Sequence, residues 1–239
     1  MQVTAATPRS LTIALAIAAA WLTIHIGAIF WWHFTPALLL LIPVQAWLST
    51  GLFIVAHDAM HGSLARGRPA ANLWAGRIAL GLYAALDFDR LRGAHFMHHR
   101  HAGTADDPDF SARHPRAFVL WLAGFVGQYY THMQIVRVTL IALAYMALGA
   151  PLWRIVVFWA VPALTAMLQL FYFGTYLPHR HRDDAFADRH RARSNAMGPW
   201  AAVTTCFNFG AFHHEHHLFP DTPWWALPQR RERGRASAG

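Results

Sequence analysis

The sequence predicts an all-α integral membrane protein with four transmembrane helices, additional interfacial helices and a cytoplasmic histidine-rich site for two metals. Three observations predict it. Only 13% of the 239 residues are charged and 55% are hydrophobic, against about 25% charged in an ordinary soluble domain. The apolar residues are gathered into runs close to the roughly 20 residues that cross a hydrocarbon core as helix. Seventeen histidines accompany them, most in short clusters beside the runs. The single Cys206 excludes an intramolecular disulfide and a thiolate metal site, because each needs a second cysteine.

Residues 11–32 and 37–56 carry no formal charge and make spans one and two. Arg9 and the Ala18-Ala19-Ala20 triplet resemble a cleavable leader, but a leader's apolar core runs about 7–15 residues and this one is longer, so it is read as an anchor. Residues 138–150, extended by Ile135 and Val136, make span three. Pro151-Leu152-Trp153-Arg154 is expected to form a hairpin turn, and residues 155–177 make span four. Residues 78–86 and 117–130 are too short or interrupted and are read as interfacial helices. The whole of 1–239 is treated as one domain, with 228–239 a disordered tail. All twenty basic residues are arginine and the net charge is +8. With a cytoplasmic N-terminus, four spans leave every arginine except Arg154 on the cytoplasmic side or, like Arg137, at its edge, as the positive-inside bias requires. This reads as a multi-pass membrane protein with its histidine clusters on the cytoplasmic side.

HDAMH puts His57 and His61 at the end of span two, and a spacing of four sets both on one helical face. HFMHH supplies His95, His98 and His99, and HHEHH supplies His213, His216 and His217. Between them, His179 follows span four by two residues. In this topology all the clusters lie on one side of the membrane. Eight or nine imidazoles exceed what one four-coordinate metal uses, so two metals are expected; imidazole suits several metals and does not name which. His101, His181 and His214 adjoin the clusters and remain alternatives to their neighbours. His25, His33, His114, His132 and His190 are assigned no chemistry. The zincin motif and the glycine-rich nucleotide loops are absent, so electrons must come from a separate donor.

The ordered boxes HxxxH, HxxHH and HxxHH resemble those of the membrane-bound fatty acid desaturase and hydroxylase superfamily. Within it, HDAMHGSL (57–64), HFMHHRHAGTADDPDF (95–110), FGTYLPHRH (173–181) and HHEHHLFP (213–220) are similar to the bacterial beta-carotene ketolases. The resemblance implies a non-haem di-iron centre that uses O2 and an external electron donor such as ferredoxin with its reductase. It implies oxidation of a beta-ionone ring at C4, twice at the same carbon, so that a hydroxyl and then a geminal diol lead to a ketone. Beta-carotene would become echinenone and canthaxanthin, and zeaxanthin would lead towards astaxanthin.

Matched residue by residue, the resemblance makes His57, His61, His95, His98, His99, His213, His216 and His217 the iron ligands, with His179 an additional one. Asp58, Asp106, Asp107 and Asp109 are expected to hold ligand imidazoles, since a metal-bound histidine commonly donates its other N–H to a carboxylate. The substrate should enter from lipid between spans, and no nucleic-acid partner is expected. A carotenoid hydroxylase or a fatty acyl desaturase would share the boxes. A histidine-rich metal transporter would instead carry its ligands within the spans.

Overall fold

The structure, a computed structural model, describes residues 3–236, and the described residues contain helices and no strand. In chain order the helices are α1 (Val3–Ile26), α2 (Leu41–Met60), α3 (Pro69–Ala84), α4 (Phe88–His101), α5 (Phe118–Tyr129) and α6 (His132–Ala147). A long helix α7 (Leu152–His179) is followed by α8 (Pro199–Cys206), α9 (His213–Leu218) and α10 (Leu227–Ala236). The sequence reading treats 1–239 as one domain, whereas the chain packs into two compact units. One is Met1–Asp87 with Thr131–Leu168, and the other is Phe88–Tyr130 with Gln169–Gly239.

Three helical stretches are long and apolar enough to span a membrane: Thr7–Trp31, Pro36–Met60 and Leu152–His179, of 25, 25 and 28 residues. They coincide with the uncharged runs expected for spans one, two and four. The expected third span is not among them. It is α6, of only 16 residues, which at 1.5 Å per residue reaches roughly 24 Å and falls short of a core of about 30 Å.

The hairpin turn expected at 151–154 also moves. Gly149 adopts φ +94°, and the amides of Gly149 and Ala150 close onto Met146 and Tyr145 carbonyls. The reversal is therefore complete before Pro151, which caps α7 in an extended conformation. Its fixed φ suits it to open a helix. Of the expected tail, residues 228–236 lie in α10, which opens on the fully buried Leu227, and 237–239 lie outside the described residues. An arginine-rich composition suggested disorder and did not reveal that burial.

In the first unit α2 packs against α1 and α3. Trp21 donates to Ser49 Oγ at 2.9 Å, so a buried indole and a buried hydroxyl satisfy each other away from water. His25 stacks on Trp21 and lies 3.1 Å from the Tyr145 hydroxyl, a packed interior histidine. Arg154 Nη1 donates to the carbonyls of Ala28 and Trp32 at 3.2 and 3.0 Å. A cation at a helix C-terminus completes carbonyls that the helix leaves open.

In the second unit Trp121, Phe171 and Tyr176 form a buried aromatic core, with Phe118 and Phe125 packed on it. Its polar atoms anchor the loops. Trp121 Nε1 donates to the Asp109 carbonyl at 2.7 Å, and Tyr176 donates to the Arg116 carbonyl at 2.7 Å. The segment after α7 is tied down by Arg193 N to Pro178 O and Asn195 N to Gly210 O, at 3.0 and 3.2 Å. The acidic loop, the end of α7 and α9 are thereby fixed within one unit.

Candidate metal centre

Helical periodicity explains how the second unit arranges its histidines. On α4, His95 and His99 are four residues apart and share a line, whereas His98 points about 100° away. On α9 the pairing is reversed: His213 and His217 share a line and His216 points aside. The pair from one helix meets the single residue from the other. His98, His179, His213 and His217 converge so that one nitrogen of each lies within 4.8 Å of all the others. His95, His99 and His216 meet the same criterion, with His99 Nε2 and His216 Nε2 3.0 Å apart. In the first unit, His57 and His61 project from the end of α2 with ring centroids 4.9 Å apart.

The four-histidine group is completely buried, and its contacts run in a chain. His98 Nε2 lies 3.2 Å from His217 Nε2, His217 Nε2 lies 3.1 Å from His213 Nε2, and His213 Nε2 lies 2.8 Å from His179 Nε2. Both ends of this chain are fixed from outside. His98 Nδ1 donates to the Asp107 carboxylate, 3.0 Å from each oxygen, and His179 Nδ1 donates to the Arg191 carbonyl at 2.8 Å. A neutral imidazole that donates from Nδ1 presents a lone pair at Nε2.

Four neutral rings therefore cannot satisfy three contacts, since donors and acceptors must alternate and both ends are acceptors. A positive charge at the centre removes the conflict, and a divalent metal takes all four lone pairs at once. At metal–nitrogen bonds of roughly 2.0–2.1 Å, neighbouring ligands stand about 2.9–3.4 Å apart, close to the spacing found. Burial and the surrounding histidines hold His217 well below the ordinary histidine pKa, which keeps it neutral and able to ligate. At His98 burial favours the neutral ring, but Asp107 and Asp109 outweigh it and raise the pKa. That pull also makes Nε2 a better donor to a cation.

The acidic residues separate into distinct places. Asp107 is buried and also accepts from the amides of Gly103 and Asp109 at 2.8 and 2.9 Å. These bonds and His98 overcome the upward effect of burial and lower its pKa, so it stays a carboxylate. Asp109 Oδ2 lies 3.8 Å from His98 Nδ1, and its Oδ1 accepts from the Tyr129 hydroxyl. Burial raises the pKa of both Asp109 and Tyr129. Asp106 is exposed and is not among the carboxylates grouped with a histidine. Asp58 stands 4.0 Å from His57 Nδ1, beyond hydrogen-bond length.

His213 and its alternative His214 lie in different places. His213 faces His179, whereas His214 Nε2 lies 2.7 Å from Asp188. His181 packs between Phe110 and Phe186, and neither His101 nor His181 joins a group. Sequence reasoning missed the Arg191 carbonyl, Tyr129, Ser194, Glu215 and Arg231. A backbone acceptor leaves no sequence signal, although Glu215, inside a histidine box, was visible.

The profile of the fatty acid desaturase family matches residues 29–135 and 125–238. A beta-carotene ketolase of Paracoccus sp. (strain N81106 / MBIC 01143) is 45% identical over 95% of this chain and 94% of its own length. The chain belongs to the beta-carotene ketolases of the fatty acid desaturase family. A second such ketolase, from Paracoccus sp. (strain PC1), is 44% identical over 94% of this chain and 93% of its own. One from Haematococcus lacustris is 39% identical over 80% of this chain and 62% of its own. The family's histidine boxes fall on α2, α4 and α9, with His179 at the end of α7.

Proposed function

We propose that this protein is a beta-carotene 4-ketolase, a membrane oxidoreductase that converts C4 of a beta-ionone ring to a ketone. The observation that carries its metal dependence is the convergence of His98, His179, His213 and His217, two with tautomers fixed from outside. The substrate class follows from the ketolase relatives, which match nearly the whole chain. The metals we assign are two irons, on the full ligand set His57, His61, His95, His98, His99, His179, His213, His216 and His217. Iron supplies the capacity to activate O2 with electrons from an external donor, for which a ferredoxin and its reductase are the proposed source. The protein's own residues hold that centre: Asp107 and the Arg191 carbonyl orient imidazoles, and burial excludes water from the four-histidine group.

Each turnover consumes O2, two electrons and two protons, places one oxygen on C4 and releases the other as water. A second turnover at the same carbon gives a geminal diol, which loses water to the ketone. Expression in a host that accumulates beta-carotene, followed by pigment chromatography, tests this directly. Echinenone and canthaxanthin are expected, and a 3-hydroxylated product or unchanged carotene refutes the assignment. A second substrate, the 3-hydroxylated ring, is favoured by one observation. A zeaxanthin 4-ketolase of Chlamydomonas reinhardtii is 35% identical over 80% of this chain and 43% of its own length.

The membrane we propose is the bacterial inner membrane, with the short α6 as a fourth crossing accommodated by local thinning of the bilayer and the histidine boxes on the cytoplasmic face. An even number of crossings returns the chain to its starting side, and the arginine distribution favours the cytoplasm for that side.

A further inference from the structure

The short helix that carries three of the histidines is gripped from behind. α9 has six residues, and an isolated helix of that length is not stable in water, so its orientation must be imposed by its surroundings. His213, His216 and His217 occupy one side of α9. Glu215, two residues from His213, points about 200° round the axis from it. Arg231 of α10 meets that far side with a two-pronged grip: Nε lies 2.5 Å from Glu215 Oε1 and Nη2 lies 2.9 Å from Oε2. Nη2 also donates to the Ala211 carbonyl at 2.6 Å, and the guanidinium carbon stands 4.2 Å from the Phe212 ring centre. Ser194 completes the grip, donating its hydroxyl to Glu215 Oε2 and accepting from the His214 amide at 3.0 Å. Four anchor points, at 211, 212, 214 and 215, thus flank His213 at the start of α9. Arg231 itself is held by α10, whose first residue Leu227 is fully buried.

We propose that Glu215, Arg231 and Ser194 form a clamp that sets the aim of the third histidine box, which makes the C-terminal helix a working part of the metal centre. Arg231 is a positioning residue here; it acts through Glu215 and touches no reacting atom. A planar guanidinium suits this task because it fixes direction as well as charge. The inference rests on the reading of His213, His216 and His217 as ligands.

The test compares the full-length parent with Arg231→Ala, Arg231→Lys and Glu215→Gln. Iron per chain and the rate of iron loss to a chelator are measured, with helix content of the stripped protein as a check on folding. Losing a group bonded directly to a ligand typically weakens metal affinity 10–100-fold; Arg231 acts at one remove, so Arg231→Ala is expected to weaken it about tenfold with helix content retained. Arg231→Lys should recover only part, because a point charge does not reproduce the fork. Combining Glu215→Ala with Arg231→Ala should cost less than the sum of the two single changes, since both remove the same ion pair. A metal-loaded parent matched by Arg231→Ala overturns the clamp alone. A parent that binds no metal overturns the ligand reading and the clamp with it. If Arg231→Ala does not accumulate, Glu215→Gln carries the test: a loss of about tenfold supports the clamp, and parental retention overturns it.

Discussion

Replacing Asp107 by Asn changes one oxygen to NH2 in a buried setting and tests whether a carboxylate is required there. Three donors converge on Asp107: His98 Nδ1 on both oxygens at 3.0 Å, the Gly103 amide at 2.8 Å and the Asp109 amide at 2.9 Å. Asn offers a single acceptor oxygen. In either flip of the amide, one backbone N–H then faces NH2, and with the residue 3% exposed no water replaces the lost acceptor. A buried donor left without a partner costs about 1–3 kcal/mol. The 10–100-fold loss of metal affinity typical of such partners equals about 1.4–2.8 kcal/mol. The two routes agree in scale. Asp107→Asn should therefore be folded and inserted but lose iron to a chelator at 10–100-fold lower chelator concentration. Asp106→Asn is the control, and with its exposed side chain it should match the parent. Equal retention by Asp107→Asn and Asp106→Asn would show that His98 does not depend on a carboxylate, and the argument from tautomers would fail.

His179→Ala should abolish ketolase activity and lower bound iron, whereas His181→Ala, two residues on and outside both histidine groups, should keep most of both; equal tolerance would show that α7 contributes no ligand. Gly103 has φ +67°, and an added Cβ would lie 3.1 Å from Arg191 Cβ and Cδ. Gly103→Ala should accordingly destabilise the protein by about 1–2 kcal/mol, read as a lower midpoint of thermal unfolding, and should loosen iron by displacing Arg191; an unchanged midpoint contradicts the strained geometry. A reporter fused after Leu227 should register as cytoplasmic, and a periplasmic signal would refute the proposed even number of crossings. The purified protein should contain about two irons per chain; stoichiometric zinc without iron in an active preparation would contradict the metal assignment.

The sequence by itself determined the helical class, the three long apolar helices and the identity of the histidine boxes, because each depends on near neighbours. An uncharged run longer than a bilayer core can only be satisfied as helix, and HFMHH or HHEHH shows its spacing without any structure. The acidic run was also legible as a partner for a histidine, but not which residue of it. Asp107 rather than Asp106 reaches His98 because the turn after α4 folds one carboxylate inward and leaves the other outside. Only tertiary structure decided that, and it likewise separated His213 from His214 and His179 from His181, pairs that composition makes chemically identical. It also grouped the boxes: an offset of one residue turns a side chain about 100° round a helix, so His98 and His99 serve different clusters. Arg231 is the furthest from legible. It stands in an arginine-rich tail that resembles a disordered end, and its role comes from meeting a glutamate sixteen residues earlier, a long-range contact that no local pattern encodes.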